Sequence, residues 1–444
     1  MRPSERAYRR SEARRLPRMS EHDVIIIGAG LAGLCCARVL AKQQRGVLVL
    51  EAADVAGGRV RTDVVDGFRL DRGFQVLLTS YPEAREVLDF KALRLHEFYP
   101  GAMVRCAGKF HKVADPRRKP LDAAKGFLSP VATLADKARL AVFEQRLRLG
   151  GDDACWSRPE KPALDLLRDA GFAPLTIDRF FRPFFGGVFL DRELDVSSRM
   201  FEFLFRLFGQ GRAALPEQGM GAIPAQLAAA LPAGSIRLNA TVKSCDATSV
   251  TLDTGEKLSA RAVVIATDAD AARTLLPGAP SRPSKWRATS TLWYSCGTPP
   301  VNEPILFLNG EDAGTEDGPV NSVAMSSVVC PAYAPAGAHL MSVSVIDQAA
   351  AAWPTAKLDA ACRAHLAAWF GPSVSSWRLL RHHFIPHALP QHRPGDLEPA
   401  RRPVETASGV FICGDHVDNA SINGAMESGR RAADAVLENL GVKP

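Results

Sequence analysis

A short glycine-rich turn constrains this chain more than any other feature. Asp23-Val24-Ile25-Ile26-Ile27 is a continuous apolar run of the kind that forms a buried strand, and Gly28-Ala29-Gly30-Leu31-Ala32-Gly33 follows it at once. Leu34 to Ala41 then carries helical spacing, and residues 46–50 are a second strand-like run that ends at Glu51. A strand, a GxGxxG turn, a helix and a second strand closing on an acid make a βαβ dinucleotide-binding unit. Gly28 permits the tight turn, Gly30 lets the backbone approach a pyrophosphate, and Gly33 lets helix and strand pack closely. The phosphates are expected on free N–H groups at the helix start, around Leu31 and Ala32. Glu51 is placed to accept hydrogen bonds from both ribose hydroxyls, and no Arg follows it directly to hold a 2′-phosphate.

The chain is long enough for two or three domains at 444 residues, and its 46% hydrophobic content can fill a sizeable core. No apolar run is long enough to span a membrane. The net charge of +7 is unevenly spread: residues 1–18 hold seven Arg and two Glu, a net of +5, leaving +2 for everything else. The high pI therefore belongs mostly to a basic extension, residues 1–19, expected to be disordered, and not to a nucleic-acid-binding face. That extension lacks the apolar core of a secretory signal, and Met19 is an alternative start. The nine cysteines are scattered without a CxxC pair or metal spacing, which suggests reduced thiols in a cytoplasm-like compartment.

Further along, residues 76–214 read as mixed and mostly helical, with a basic loop at Pro116 to Pro120. Residues 236–266 alternate like short strands, with a hairpin turn at Asp253-Thr254-Gly255. Strand-like runs recur over 281–346, residues 355–370 read as a helix, and five prolines in 384–403 predict an irregular connection. The end of the chain returns to strand, turn and helix.

The residues after Glu51, AADVAGGRVRT, resemble the GGR extension of the flavin amine oxidase superfamily, which includes protoporphyrinogen oxidases and phytoene-type desaturases. The resemblance implies that Ala52, Gly57 and Gly58 follow the cofactor and that Arg59 approaches its pyrophosphate and ribityl region; a guanidinium suits a diphosphate. DGFRLDRGFQVL (66–77) is similar to the family's strand pair beside the flavin, with Gly73 and Phe74 at close approach. PEQGMGAIPAQLAAAL (216–231) resembles the desaturase segment that returns the chain to the flavin domain, and Val242 matches the backbone bordering the adenine. In FICGDHVDNASINGAMESGRR, Gly414-Asp415 matches the polar contact to the cofactor's sugar chain. Ser421 or Asn423 lies at the start of a helix that brings Ile422 and Ala425 to the flavin. At ~0.5–2 kcal/mol for a helix terminus and ~30 mV per 1.4 kcal/mol, that helix would shift the flavin potential by about 10–45 mV. Cys413, beside this turn, is read as a buried strand residue and not as a covalent flavin link. The resemblance thus implies non-covalent FAD and an α/β (α+β) fold. A Rossmann-like FAD-binding domain (20–75, 215–275, 400–444) is interleaved with a substrate domain of mixed sheet and helices (76–214, 276–399).

For the chemistry, the resemblance leaves three classes open. Amine oxidases of the superfamily carry an aromatic residue before the last helix, whereas Asp418 to Ser421 has none. A substitute amine cage would have to come from Trp286, Trp293 or Tyr294, and Lys285 is either a lysine near flavin N5 or a surface residue. Ten of the 21 Phe fall between Phe172 and Phe208, in a segment similar to the substrate domain of phytoene-desaturase-like proteins. Phe180, Phe184, Phe185 and Phe189 line a tunnel or form core; Phe201, Phe205 and Phe208 form core or a membrane-touching face. The segment 381–396 resembles the one opposite the flavin, which makes His383 and His387 substrate-facing candidates. Arg182 pairs with either a substrate carboxylate or a structural acid. The favoured expectation is an FAD-dependent oxidoreductase taking hydride and proton from a hydrophobic, carotenoid- or porphyrinogen-like substrate. An amine oxidase and a non-enzymatic binding protein like the Rab GDP-dissociation inhibitors are the alternatives. The expected electron acceptor is oxygen, a quinone or a protein, and the expected location is cytoplasmic with peripheral membrane contact.

Overall fold

A computed structural model describes residues 22–149, 154–277, 285–311, 318–396 and 398–442; the basic extension lies outside the described residues. The first element triplet is the expected one. β1 (His22–Ile27) runs into α1 (Leu31–Lys42), and β2 (Val47–Leu50) returns parallel to β1, pairing Ile25 with Leu48 and Ile27 with Leu50. On its other side β1 pairs in parallel with Lys257–Ile265. Val24 to Ile27 are all buried because a parallel strand has both faces covered. The sheet continues through the hairpin to Ser249–Leu252 and then Val242–Cys245, with Gly255 at φ +88° in the turn. Phe411–Ile412 adds a short parallel strand beside Val264 and Ile265.

The C-terminal helix, Ile422–Asn439, packs on α1, and its small residues explain how. A Cβ on Gly429 would stand 2.1 Å from the Ala32 carbonyl oxygen, so only glycine allows this approach. Met426, Ala433 and Val436 are fully buried on the same helix, while Ile422 and Leu440 at its ends are half-buried.

The second sheet has seven strands in the order Arg378–Pro390, Trp286–Cys296, His339–Val345, Ser322–Ala324, Leu306–Asn309, Gly101–Cys106 and Lys109–Ala114. Its first strand corrects the expected irregular connection, because residues 384–390 are strand. Arg378–Pro390 lies at the sheet edge, where proline's missing N–H is tolerated. Pro386 falls in a register shift, with Pro386 to Ala388 opposite Ala288 alone. Thr355–Phe370 is a helix, as its sequence predicts, and Leu358, Cys362, Leu366 and Trp369 pack it against this sheet. A five-residue π-turn, Ile177–Phe181, leads into helix Arg182–Phe189, with the Arg182 N–H bonded to the Ile177 carbonyl. The widened turn accommodates Pro183, which has no N–H to give.

The α1 crossing yields a stability test. Gly429→Val should cost at least ~2 kcal/mol through overpacking, read as a lowered thermal midpoint; an unchanged midpoint would mean the two helices do not touch as described.

Candidate functional site

Gly28 adopts φ +109°, and a Cβ there would meet the Ala266 carbonyl oxygen at 2.8 Å. A Cβ on Gly33 would meet the Gly28 oxygen at 2.0 Å, so this glycine packs helix on strand and does not face the cavity. Gly30 is different: a Cβ there would meet nothing within 4 Å, and no side chain caps the start of α1. Open space beside uncapped N–H groups is what a diphosphate needs. The Gly57-Gly58-Arg59 loop lies across this turn: a Cβ on Gly58 would stand 3.4 Å from the Cα of Gly30.

The space belongs to one large cavity of about 1590 Å³. That exceeds the ~300–1,000 Å³ of a small-ligand pocket and leaves room for a dinucleotide and a further molecule. Gly28, Gly30, Leu31, Ala32, Glu51, Ala52, Gly57, Gly58, Arg59, Gly73, Phe74, Val242, Gly414, Asp415, Ser421, Ile422 and Ala425 all line it. Glu51 is oriented by two backbone donors, Ala29 N–H at 2.7 Å and Ala53 N–H at 2.9 Å, and a carboxylate has further lone pairs to offer. Gly414, at φ +148°, donates its N–H to Ser428 Oγ at 2.9 Å. Ser421 caps the C-terminal helix by accepting from Gly424 N–H at 3.0 Å. Asn423 turns away from the cavity, its Oδ1 accepting from Glu83 N–H at 3.0 Å.

Arg59 and Asp415 meet at 2.7 Å. The Asp415 carboxylate is almost fully buried; burial alone would raise its pKa, but the Arg59 guanidinium outweighs this and holds it below the ordinary carboxylate range. Arg59 also donates to the Ala388 carbonyl and lies 5.6 Å from the centre of the Trp286 ring. Two buried imidazoles, His392 and His416, flank the pair electrostatically. Burial pushes both pKa values down, His392 to about 4, so both are neutral at neutral pH. Cys413, fully buried, lies in the core beside Cys36 and outside the cavity, with its thiol pKa driven up by burial.

Other candidates sit elsewhere. His383 is held behind the cavity wall, with Nδ1 3.2 Å from the Asp71 carbonyl and Nε2 3.3 Å from Asp63. His387 stacks on Trp286 at 4.9 Å, and Lys285 is exposed. Neither histidine nor Lys285 lines the cavity. The strand that carries these histidines lines the cavity with Phe384, Ile385, Pro386, Ala388 and Leu389 instead. Trp293 is core and Tyr294 bonds Asp359, so neither forms an aromatic cage there. Arg182 is a structural partner of Asp178 and Glu193. Phe180, Phe184 and Phe185 line the cavity, whereas Phe189 and Phe201 are core. Phe205 and Phe208, expected in core or at a membrane, face the cavity too. Sequence reading missed the wall hydroxyls Thr289, Ser322 and Ser344, and it noted the basic loop Arg117-Arg118-Lys119, which forms one end of the cavity, without assigning it a place. Arg117 and Arg118 both donate to the Gly209 carbonyl, next to Phe208.

The fold and cradle define a dinucleotide-dependent oxidoreductase. The chain matches the family of flavin containing amine oxidoreductases over residues 31–437 and belongs to it. It is 25% identical to a 15-cis-phytoene desaturase of Capsicum annuum, over 98% of this chain and 81% of that protein. It is 40% identical to the putrescine oxidase of Kocuria rosea over only 18% of this chain and 16% of that one. A protein from Exiguobacterium sp. assigned provisionally as a protoporphyrinogen oxidase superposes with TM-score 0.71 at 17% identity, covering 95% of this chain and all 100% of its own. Cyclohexylamine oxidase from Brevibacterium oxydans superposes with TM-score 0.68 at 20% identity, covering 95% and 99%. At such identities the structural likeness establishes the fold. The protein is thus an enzyme whose cofactor is non-covalent FAD, and nothing supports the non-enzymatic alternative.

The neutral imidazole of His392 gives a pH test. Between about 6.5 and about 4 the unfolded chain takes up a proton that the folded chain refuses, so this group lowers stability as pH falls. Relative to the native protein, His392→Asn should gain up to roughly 3 kcal/mol between pH 7 and pH 4. Parallel denaturation curves at both pH values would refute the burial argument.

Proposed function

We propose that the protein is an FAD-dependent desaturase or dehydrogenase that removes hydride and a proton from an apolar, carotenoid- or porphyrinogen-like substrate. The observation that carries this reading is the cavity wall. Eight phenylalanines line it, and five of them, Phe180, Phe184, Phe185, Phe205 and Phe208, form one contiguous apolar stretch with Leu306 and Leu308 nearby. Among the described residues no histidine lines the cavity, and the aromatic residues weighed for an amine cage lie outside it. An apolar wall selects by area removed from water and not by charge. The phytoene desaturase likeness, extending over nearly the whole chain, supports the same substrate class.

The residues present fit the cofactor. Gly28, Gly30, Glu51 and Val242 would hold its adenosine diphosphate half; Arg59, Gly73, Asp415 and the Ser421–Ala425 turn would hold its flavin half. When bound, FAD supplies the hydride acceptor. The protein's part is to bind and orient the substrate and to exclude water.

Anaerobic mixing of the flavin-loaded enzyme with polyene, porphyrinogen and amine panels tests the reading. Bleaching of the flavin absorbance by a polyene or porphyrinogen is expected. Bleaching by amines alone, with hydrogen peroxide on admitting air, would establish the amine oxidase instead. With an accepted substrate, Phe184→Ala should raise KM about 10–100-fold, the equivalent of ~1.5–3 kcal/mol of lost burial, while kcat stays near the native value. A fall in kcat with KM unchanged would count against a binding role.

A further inference from the structure

The helix Leu134–Leu149 has two unlike sides. Phe143 and Leu147 are buried, and Leu140 and Glu144 wall the end of the cavity. The opposite side is exposed and carries Leu134, Ala138, Val142 and Leu149, with Val142 at 71% exposure. At ~100° per residue these four fall within an arc of roughly 80°. Lys137 and Arg148 flank that apolar stripe on one side, Arg139 and Arg146 on the other. The short helix Pro120–Lys125 and the turn after it add Leu121, Phe127 and Leu128, the last 85% exposed. Of the eleven large apolar side chains exposed among the described residues, six lie between 121 and 149.

Charge gathers at the same place. Residues 116–149 hold eight Lys or Arg and three Asp or Glu, a net of +5. With +5 also in residues 1–18 and +7 in all, the rest of the chain is −3. Arg146 and Arg148 form no ion pair with any described residue, whereas Arg139 is partly used by Asp136.

We propose that the surface of residues 116–149 docks on an anionic lipid bilayer, with Leu128, Leu134 and Val142 entering the headgroup–acyl boundary and Arg146 and Arg148 on the headgroup phosphates. An apolar stripe edged by arginines is the make-up of a helix lying in a membrane interface. A nucleic-acid face would not need the exposed leucines, and a core contact would not accept the flanking arginines. The same helix walls the cavity on its other side, so the docked protein presents the cavity's charged end to the membrane. Lipid binding does not depend on the proposed reaction and is tested without it.

Flavin-loaded protein is sedimented with vesicles of phosphatidylcholine alone and with phosphatidylglycerol added. Binding to the anionic vesicles is expected, weakened by salt and by about fivefold for each charge removed in Arg146→Gln and Arg148→Gln. The pair Leu128→Glu and Val142→Glu should lose about tenfold or more, while circular dichroism and bound-flavin absorbance show that the variants fold. Equal sedimentation with both vesicle types, undiminished binding by these variants, or preference for a nucleic-acid duplex over anionic vesicles would each overturn the proposal.

Discussion

A guanidinium and a carboxylate 356 positions apart in sequence meet at 2.7 Å, and the site depends on that meeting. Asp415 ends the turn after a short strand, and Arg59 ends the loop that lies over the GxGxxG turn. A carboxylate this deeply buried is costly unless a charge partner and hydrogen bonds stand beside it. Arg59 is that partner, and the neighbouring His392 and His416 stay neutral because burial opposes their protonation. The pair therefore ties the first βαβ unit to the last turn of the chain. Around it the starts of α1 and of the C-terminal helix both reach the cavity, held in register where Gly429 packs on Ala32.

A second tie lies behind Gly73. Asp71 accepts from Thr62 Oγ1 at 2.5 Å, Met220 N–H at 2.9 Å and Tyr333 OH at 2.8 Å. Burial raises its carboxyl pKa to about 6 even with those donors present. One carboxylate thus fixes a hairpin, the 216–231 segment and a loop of the second sheet against one another. The backbone carbonyl of the same residue receives His383, so that histidine belongs to the frame supporting Gly73 and Phe74 and not to the cavity surface.

What could be read in advance follows from where the constraint acts. Gly28 and Gly33 were legible because backbone geometry and close packing leave only glycine, and Gly30 because a phosphate needs the open space it leaves; those demands are local. Glu51 was legible because strand length places it. The direction of Phe205 and Phe208 was not, since an apolar helix face looks the same in sequence whether it meets a core, a lipid or a cavity. His383 and His387 failed for a related reason. Side chains alternate along a strand, so the pairing of His383 with Thr291 decides its face, and the shift at Pro386 to Ala388, set by pairing with a strand about a hundred residues earlier, resets the face of His387. The edge position that lets prolines remain in that strand is likewise a property of the sheet and not of the segment.

The wall composition bears on how a proton leaves the substrate. Hydroxyls are poor bases at neutral pH, and Thr289 already donates to the Val345 carbonyl at 3.1 Å. The imidazoles nearest the cradle are buried and outside the cavity. General-base catalysis needs a group of suitable pKa within hydrogen-bond reach of the proton, and the carboxylates Glu97, Asp115 and Glu144 that line the cavity are each ion-paired to an arginine at its charged end. Such a wall would suit a substrate whose C–H bonds become acidic once hydride has gone, because the single proton could then pass to a polar group at the charged end. It suits poorly a reaction that begins with deprotonation.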